Sequence, residues 1–487
     1  MATNTIVTKF GGTSVGSAER MLQVARIIEN LSKNDRTIVV LSAMSSYIKA
    51  EGTTSMLLEA AEDILLPNST LYLDIVSKIQ ANHLKAVAEA VKDEAIRKQA
   101  EKDVSEACEK LRSFMSAAEI IDEISPRSRD IIISVGEKLS ARIFTAVLQD
   151  RGLHAVFINL DRLVDKHFDP KSIDQSFYDY LASRLAETLA PFPATTIPVV
   201  TGYLGPIPGS LLTTIGRGYT DLTAALIAVG LRARELQIWK EVDGIFTADP
   251  RKAPRAYLLP RISPEEAAEL TYYGSEVIHP FTMDQVIRAR IPIRIKNAFK
   301  PEGAGTVIVP QEEAGLAERD VSLPASHGVP AGRERMATAI TIKESITVLN
   351  IHSNRKSVSH GFFAKIFSTL DRFGIVVDLI STSEVHVSMA LGPHLSEGKI
   401  GAAVEELRKY ALVDIITDMT ILSLVGREMR HMVGIASLMF SVLAKNSINL
   451  EMISQGASEI NISCVIDGVH GVKALQVVHD ACILGDV

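Results

Sequence analysis

The stretch that decides the fold runs Thr5-Ile-Val-Thr-Lys9-Phe-Gly11-Gly12-Thr13-Ser14-Val-Gly16-Ser17-Ala18. Thr5–Phe10 is rich in β-branched residues and reads as a strand covered on both faces. Ala18–Leu31 has helical periodicity, so the glycines lie at a strand-to-helix junction. There they let backbone N–H groups approach an anion, and the helix N-terminus adds favourable partial charge. The loop is not a Walker A motif. Gly11 and Gly16 have its spacing, but Ser17 stands where the lysine belongs. The dinucleotide pattern G-x-G-x-x-G is absent as well. Lys9, at the strand end, is placed to reach a phosphate held by the loop. The plainer alternative is a turn beside a surface lysine.

Further strands are expected at Thr37–Ser42, Ala155–Leu160, Ile197–Thr201, Leu236–Lys240 and Pro292–Lys296. Helical patterns such as Glu137–Leu148 lie between them, and Asn82–Phe114 reads as a surface helix or helical hairpin. This alternation predicts an α/β domain with a largely parallel sheet. Three more charged segments read as strand ends. Ser134-Val-Gly136-Glu137 offers a carboxylate that either complements a helix dipole or binds an ammonium. Gly216-Arg217-Gly218-Tyr219-Thr220-Asp221 offers a guanidinium suited to carboxylate or phosphate, although its Thr and Asp also suit an N-cap. Trp239-Lys240-Glu241-Val-Asp243-Gly-Ile-Phe246-Thr-Ala-Asp249-Pro-Arg251 leaves a strand as a loop of the kind that forms ligand crevices in open α/β sheets. Lysine, arginine, backbone amides and carboxylates at strand ends are the parts of a phosphoryl-transfer site, which needs positioning and charge neutralisation.

Residues 301–336 alternate proline and glycine and read as a linker. Beyond them Gly361-Phe-Phe-Ala-Lys-Ile-Phe367-Ser-Thr-Leu370 aligns with Gly434-Ile-Ala-Ser-Leu-Met-Phe440-Ser-Val-Leu443, and Ile380-Ser381 aligns with Ile453-Ser454 in the same register. A period of about 70 residues is too long for a solenoid unit, so two small α+β domains are expected. The second copy reaches only a helix at Val472–Cys482 and lacks the final strand that the first has near Val413–Asp418.

Composition narrows the function. The net charge of −7 over 487 residues argues against a generally basic nucleic-acid binder. No apolar run approaches the ~18 residues of a membrane span, and the start has no signal-peptide core. Three cysteines without metal-ligand spacing point to a reducing, cytoplasmic setting.

On Lys9-Phe-Gly-Gly-Thr-Ser14, Gly216–Asp221, Glu241–Arg251, Tyr272-Tyr-Gly-Ser-Glu276-Val-Ile-His279-Pro and the paired repeats, the chain resembles the aspartate kinases of the amino-acid kinase superfamily. Ala50-Glu-Gly-Thr-Thr54 and Trp239–Gly244 look most like the fungal, monofunctional branch, with no fused homoserine dehydrogenase. The resemblance implies a three-layer αβα kinase domain over 1–310, a linker at 311–336 and two ACT domains at 337–420 and 421–487. It implies transfer from ATP, with Mg²⁺ held mainly by the nucleotide, to the side-chain carboxylate of L-aspartate. Lys9 would contact the transferring phosphoryl group and Asp221 would hold Lys9. Arg217 would bind the α-carboxylate and Glu137 the α-ammonium, with Ser42, Thr54 and Thr220 lining the pocket. Gly11, Gly12, Lys240, Glu241, Phe246, Arg251 and Lys296 would lie on the nucleotide side. Gly16 and His279 would support activity. Glu276 replaces a lysine common in bacterial members, and Lys240 or Lys296 would substitute. The repeats would bind an amino-acid effector, threonine first and lysine second, through Ser359, Gly361, Phe362, Asp378, Ser383 and Glu384 in one copy and Asn449, Gln455 and Asn461 in the other. A homo-oligomer through the ACT domains is expected. Two alternatives stay open: a kinase for glutamate or N-acetylglutamate, and an inactive amino-acid sensor on the same fold.

Overall fold

The computed structural model describes residues 4–46, 48, 51–166, 168–169, 173–205, 207, 210, 218–272, 278–309, 337–353, 361–383, 386–392, 395–456 and 460–486. Arg217, Glu276, Ser359, Glu384 and the expected linker 311–336 lie outside them. The chain forms two compact units. One comprises 1–245, 260–264 and 278–318; the other comprises 246–259, 265–277 and 319–487.

The first unit is built on strands β1 (Thr5–Phe10), β2 (Arg36–Leu41), β3 (Ala155–Ile158), β4 (Ile197–Thr201), β5 (Glu235–Lys240), β6 (Arg261–Ile262), β7 (Ile293–Asn297) and β8 (Thr306–Ile308). Their order is β3-β4-β2-β1-β5-β7-β8-β6, and every pairing is parallel except β7 with β8. All six strands expected from the sequence are present. One face carries helices α1 (Ala18–Ser32), α2 (Thr53–Asp63), α3 (Leu71–Ala90), α4 (Glu94–Ile121) and α5 (Pro126–Asp150), sharing one apolar core with Phe10, Leu41 and Trp239. The other carries α6 (Gln175–Leu189), α7 (Tyr219–Leu231) and α9 (Pro280–Arg288), giving three layers; α8 (Pro264–Tyr272) lies between β6 and α9 in the chain. The 82–114 segment is a helical hairpin of α3 and α4, tied at one end by the Tyr72 hydroxyl donating to Glu119 Oε2 at 2.6 Å.

The segment 134–137 is not a strand end. It lies in the middle of the 25-residue helix α5. Ser125 caps that helix, its Oγ accepting from Ser128 N at 3.1 Å, and Pro126 takes the first helical position. The β-branched run Ile131–Ile133 and Val135 imitates a strand, but burial all round the helix outweighs local preference. Helix α7 likewise starts earlier than expected, at Tyr219, so Thr220 and Asp221 sit in its first turn rather than at its cap.

The second unit has one six-stranded antiparallel sheet formed by β9 (Ala339–Ser353), β10 (Val377–Thr382), β11 (His386–Leu391), β12 (Ala411–Val425), β13 (Met452–Ser454) and β14 (Asn461–Asp467), in the order β10-β11-β9-β12-β14-β13. Helices α10 (Phe362–Arg372) and α11 (Glu397–Arg408) belong to the first repeat; α12 (Ile435–Lys445) and α13 (Gly471–Cys482) belong to the second. The strand missing from the second repeat is supplied by the start of β9, where Ala339–Lys343 pairs with Ile421–Val425. Residues 246–259, and with them Phe246 and Arg251, join this unit. Ala248 and Ala253 enter its core with Ile340, Met439 and Leu475, and Thr247 Oγ1 lies 2.9 Å from Nε2 of the buried His479.

Candidate active site

Lys9 is the penultimate residue of β1. Strand alternation turns it to the face covered by α7, where its Nζ lies 2.7 Å from Asp221 Oδ1, both side chains 12% exposed. Asp221 occupies the first helical turn, where the dipole favours an anion. After β1 the chain forms a tight 3₁₀ turn at Gly12–Val15, and Ser17 caps α1 by accepting from Arg20 N at 3.3 Å. A Cβ at Gly11 would meet no protein atom within 4 Å, so this residue borders open space. Gly12 and Gly16 serve another purpose. A Cβ at Gly16 would come 1.9 Å from Ser45 O, and one at Gly12 would come 2.3 Å from Ala43 O. They admit the backbone that follows β2, which Ser45 N joins to Gly12 O at 3.0 Å.

Glu137 reaches this place from α5 and is fully buried. Its Oε1 accepts from Thr220 Oγ1 at 2.9 Å. Its Oε2 is buried and has no hydrogen-bond partner among the described residues. Burial pushes the carboxyl up to about 7, against the opposing pull of the Thr220 and Tyr219 hydroxyls, the Lys9 charge and the Ser42 hydroxyl. Gly136 makes the approach possible, since a Cβ there would lie 2.9 Å from Ala43 Cβ and 3.0 Å from Thr53 Cγ2. Thr54 stands half-buried in the first turn of α2, whose start is anchored by Thr53 N donating to Met44 O at 3.0 Å.

The structure therefore gathers Lys9, Asp221, Glu137, Thr220 and Ser42. His279, exposed at the cap of α9, lies against Gly218: a Cβ on that glycine would be 3.4 Å from His279 Cβ. Lys240 shares the Lys9 face of the sheet, because Lys9 is in register with Ile238. Lys296 does not. It is in register with Trp239 on the opposite face, its Nζ 4.9 Å from the indole centroid. Glu241 is exposed just past β5, and Asn297 Nδ2 fixes the loop after it by donating to Asp243 Oδ1 at 2.7 Å. Tyr219, Gly136 and Asn297 escaped the sequence reading. The first two lay inside quoted motifs, but only the fold shows what they touch. Among the described residues no group of three or more His, Cys, Asp or Glu is arranged to hold a metal ion.

The amino acid kinase family model matches residues 4–297, and an ACT domain model matches 422–482. The aspartokinase of Schizosaccharomyces pombe is 50% identical over 97% of this chain and 92% of its own length. That of Saccharomyces cerevisiae is 49% identical over 98% and 92%. The chain belongs to the aspartokinases. As an aspartate kinase it is a phosphotransferase with a carboxyl group as acceptor. Two solved aspartokinase structures agree. Escherichia coli aspartokinase III in complex with aspartate and ADP superposes with a TM-score of 0.73 at 27% identity, and the same enzyme with lysine and aspartate superposes at 0.77; each covers 98% of this chain and 99% of the other.

In this aspartokinase the Gly16 contact gives a direct expectation. Gly16→Ala should displace the Ser45 backbone, lower stability by about 1–3 kcal/mol as overpacking does, and reduce kcat. Thermal melting and steady-state kinetics check it, and an unchanged melting temperature would mean that the segment yields freely.

Proposed function

We propose that Lys9, Asp221, Glu137 and the Gly11-Gly12 turn form the phosphoryl-transfer centre, with aspartate bound through its α-ammonium at Glu137 and its α-carboxylate at Arg217. The reading rests on one observation above all: a fully buried carboxylate with an unfilled oxygen beside the Lys9–Asp221 ion pair. A substrate ammonium supplies both the missing donor and the missing counter-charge. The side-chain carboxylate of aspartate is ionised at neutral pH, so it attacks the γ-phosphorus without a general base. Bringing one negative charge to about 4 Å from another costs about 4 kcal/mol near a protein surface. Lys9 and the turn's N–H groups offset that cost, most strongly as charge moves in the transition state. Asp221 keeps the Lys9 ammonium aimed. Mg²⁺, carried on the ATP phosphates, adds charge neutralisation when bound. Lys240 and Glu241 line the nucleotide side.

Regulation belongs to the repeats. Asp378 there is already held by Lys343 Nζ at 2.7 Å, and Asn461 donates to Glu269. Asn449 Nδ2 donates to Glu451 Oε1 at 3.1 Å, Gln455 is exposed, and Gly361 opens α10 at a φ of +83° with Phe362 buried behind it. Ser383 follows β10 and donates its N–H to His386 O at 2.8 Å. L-threonine is the proposed inhibitor, on the likeness to the fungal branch, with lysine second; the enzyme is proposed to be cytoplasmic and homo-oligomeric, feeding threonine and methionine synthesis. Ser383→Phe should abolish threonine inhibition and leave uninhibited turnover nearly intact.

The test is ADP release with aspartate, glutamate and N-acetylglutamate in turn, repeated with threonine, lysine or methionine added. Aspartate-only activity inhibited by threonine is expected. Turnover of another acid would replace the substrate assignment, and activity indifferent to millimolar threonine at sub-saturating aspartate would replace the effector.

A further inference from the structure

In the second unit two histidines face each other across the sheet. His386 of β11 is in register with His352 of β9, so both side chains stand on one face. Their Nδ1 atoms lie 2.9 Å apart, and the rings meet edge to face with centroids 3.8 Å apart at 73°. His352 is exposed and His386 half-buried. The next pair along this face, Ser388 and Asn350, fixes where the protons are. Ser388 Oγ donates its one proton to Asn350 Oδ1 at 2.6 Å. It therefore accepts from His386 Nε2, 2.9 Å away. A neutral ring with its proton on Nε2 has a lone pair on Nδ1, and here that lone pair is aimed at His352. Across β10, β11, β9 and β12 these two rows carry one charge, the carboxylate of Asp414, in register with Asn350.

We propose that His352 and His386 form a site for one divalent transition-metal ion, bound between their two Nδ1 atoms. Two nitrogens held about 2.0–2.1 Å from a tetrahedral ion lie about 3.4 Å apart, so the pair has to open by only about 0.5 Å. A small turn of the exposed His352 ring supplies that. Without metal, His352 Nδ1 donates to His386 Nδ1. With metal, His352 carries that proton on Nε2 instead, an exchange that water can mediate at an exposed ring. The run from His386 Nε2 to Ser388 to Asn350 is the support that metal-bound histidines use: the far ring nitrogen donates to an oxygen that is itself held. Imidazole nitrogens suit zinc, nickel and copper, whereas magnesium takes oxygen ligands. The ion carried by ATP therefore does not compete. With two protein ligands, water completes the coordination, and the ion exchanges rather than acting as a permanent structural part. It would link β9 to β11 beside Ser383, whose N–H donates to His386 O at 2.8 Å.

The experiment adds nickel or zinc ion to the full chain and follows binding by titration calorimetry at pH 7.5. Wild type should take up one equivalent more tightly than any other, and magnesium should give no such binding. The double variant His352→Asn/His386→Asn should lose that equivalent. Ser388→Ala keeps both ligands and removes the support, and should weaken binding about tenfold. Turnover with Mg²⁺ and ATP, without nickel or zinc, should stay at the wild-type level in both proteins. Should the double variant fail to fold, His352→Asn alone, at an exposed position, should weaken the same equivalent by about tenfold or more. A folded double variant that binds nickel as wild type does would overturn the site and leave the pair as a hydrogen bond between two rings. Unchanged affinity in Ser388→Ala would overturn the assignment of the His386 lone pair on which the site depends.

Discussion

Replacing Lys9 with methionine is expected to lower kcat by about 100-fold or more, the roughly 3 kcal/mol that accompanies loss of one preorganised transition-state group. Methionine keeps the aliphatic length and removes the charge. It also leaves Asp221, only 12% exposed, without its cation. Some stability should therefore be lost with the activity, since an unpaired buried carboxylate is costly. The double variant Lys9→Met/Asp221→Asn separates the two effects. Its melting temperature should recover while its kcat stays low. A Lys9→Met enzyme with near-normal kcat would remove this lysine from the chemistry.

The second large effect belongs to Glu137→Gln, which keeps the shape and hydrogen-bonding capacity of the side chain but not its charge. Truncating one member of a buried charge pair costs roughly 2–5 kcal/mol, so the aspartate KM should rise by about 30-fold or more, with the ATP KM much less affected. The wild-type enzyme carries its own check. Because burial holds this carboxyl at about 7, well above the usual carboxylate range, the group is increasingly protonated as pH falls below that value. Apparent aspartate affinity should fall by up to about tenfold per pH unit there. For folding, the sign is opposite. A raised carboxyl pKa contributes stability below the unfolded value, and that contribution is lost as pH rises through about 7. The free enzyme should thus gain least from Glu137 in the range where aspartate binds best, and a rise in melting temperature on adding aspartate should be larger at pH 8 than at pH 6. A reversed ATP and aspartate pattern in Glu137→Gln would place the residue on the nucleotide side.

Much of this was legible in the sequence, and the failures have physical causes. Strands of a parallel sheet are buried on both faces, so Thr5–Phe10 and Ile197–Thr201 announce themselves as apolar, β-branched runs. Lys9 lies within such a run, whereas Thr220 and Asp221 precede the apolar helical run of α7, and their roles come from the family resemblance. Ile131–Val135 carried the same local signal, yet it lies in a helix, because a helix buried all round loses its amphipathic stripe. The Ser125-Pro126 start was the available clue. Phe246 and Arg251 follow the β5 loop in sequence but are built into the second unit, where Arg251 pairs with its neighbour Asp249 at 2.8 Å. Local patterns carry no information about which core a loop joins. The unfilled Glu137 oxygen and the side of the sheet that Lys296 takes depend on contacts distant in sequence.

The strand exchange in the second unit makes synthesis order matter. Ala339–Lys343 leaves the ribosome before its partner Ile421–Val425, with the whole first repeat intervening. At about 5–20 residues per second, the roughly 80-residue gap lasts about 4–16 s. For that interval Ala-Ile-Thr-Ile-Lys lacks its β12 neighbour, although Thr247 O, already synthesised, can accept from Ile340 N as it does at 2.8 Å in the folded protein. An unpaired strand edge is the kind of segment that joins other chains. The first repeat can close around the rest of β9 meanwhile, so it behaves as an insert inside the second. A fragment beginning at residue 421 would lack the strand its sheet is built on, whereas one beginning at 337 keeps it. The cell must therefore shelter a single short strand until the last repeat emerges, and slow translation across the first repeat lengthens that exposure.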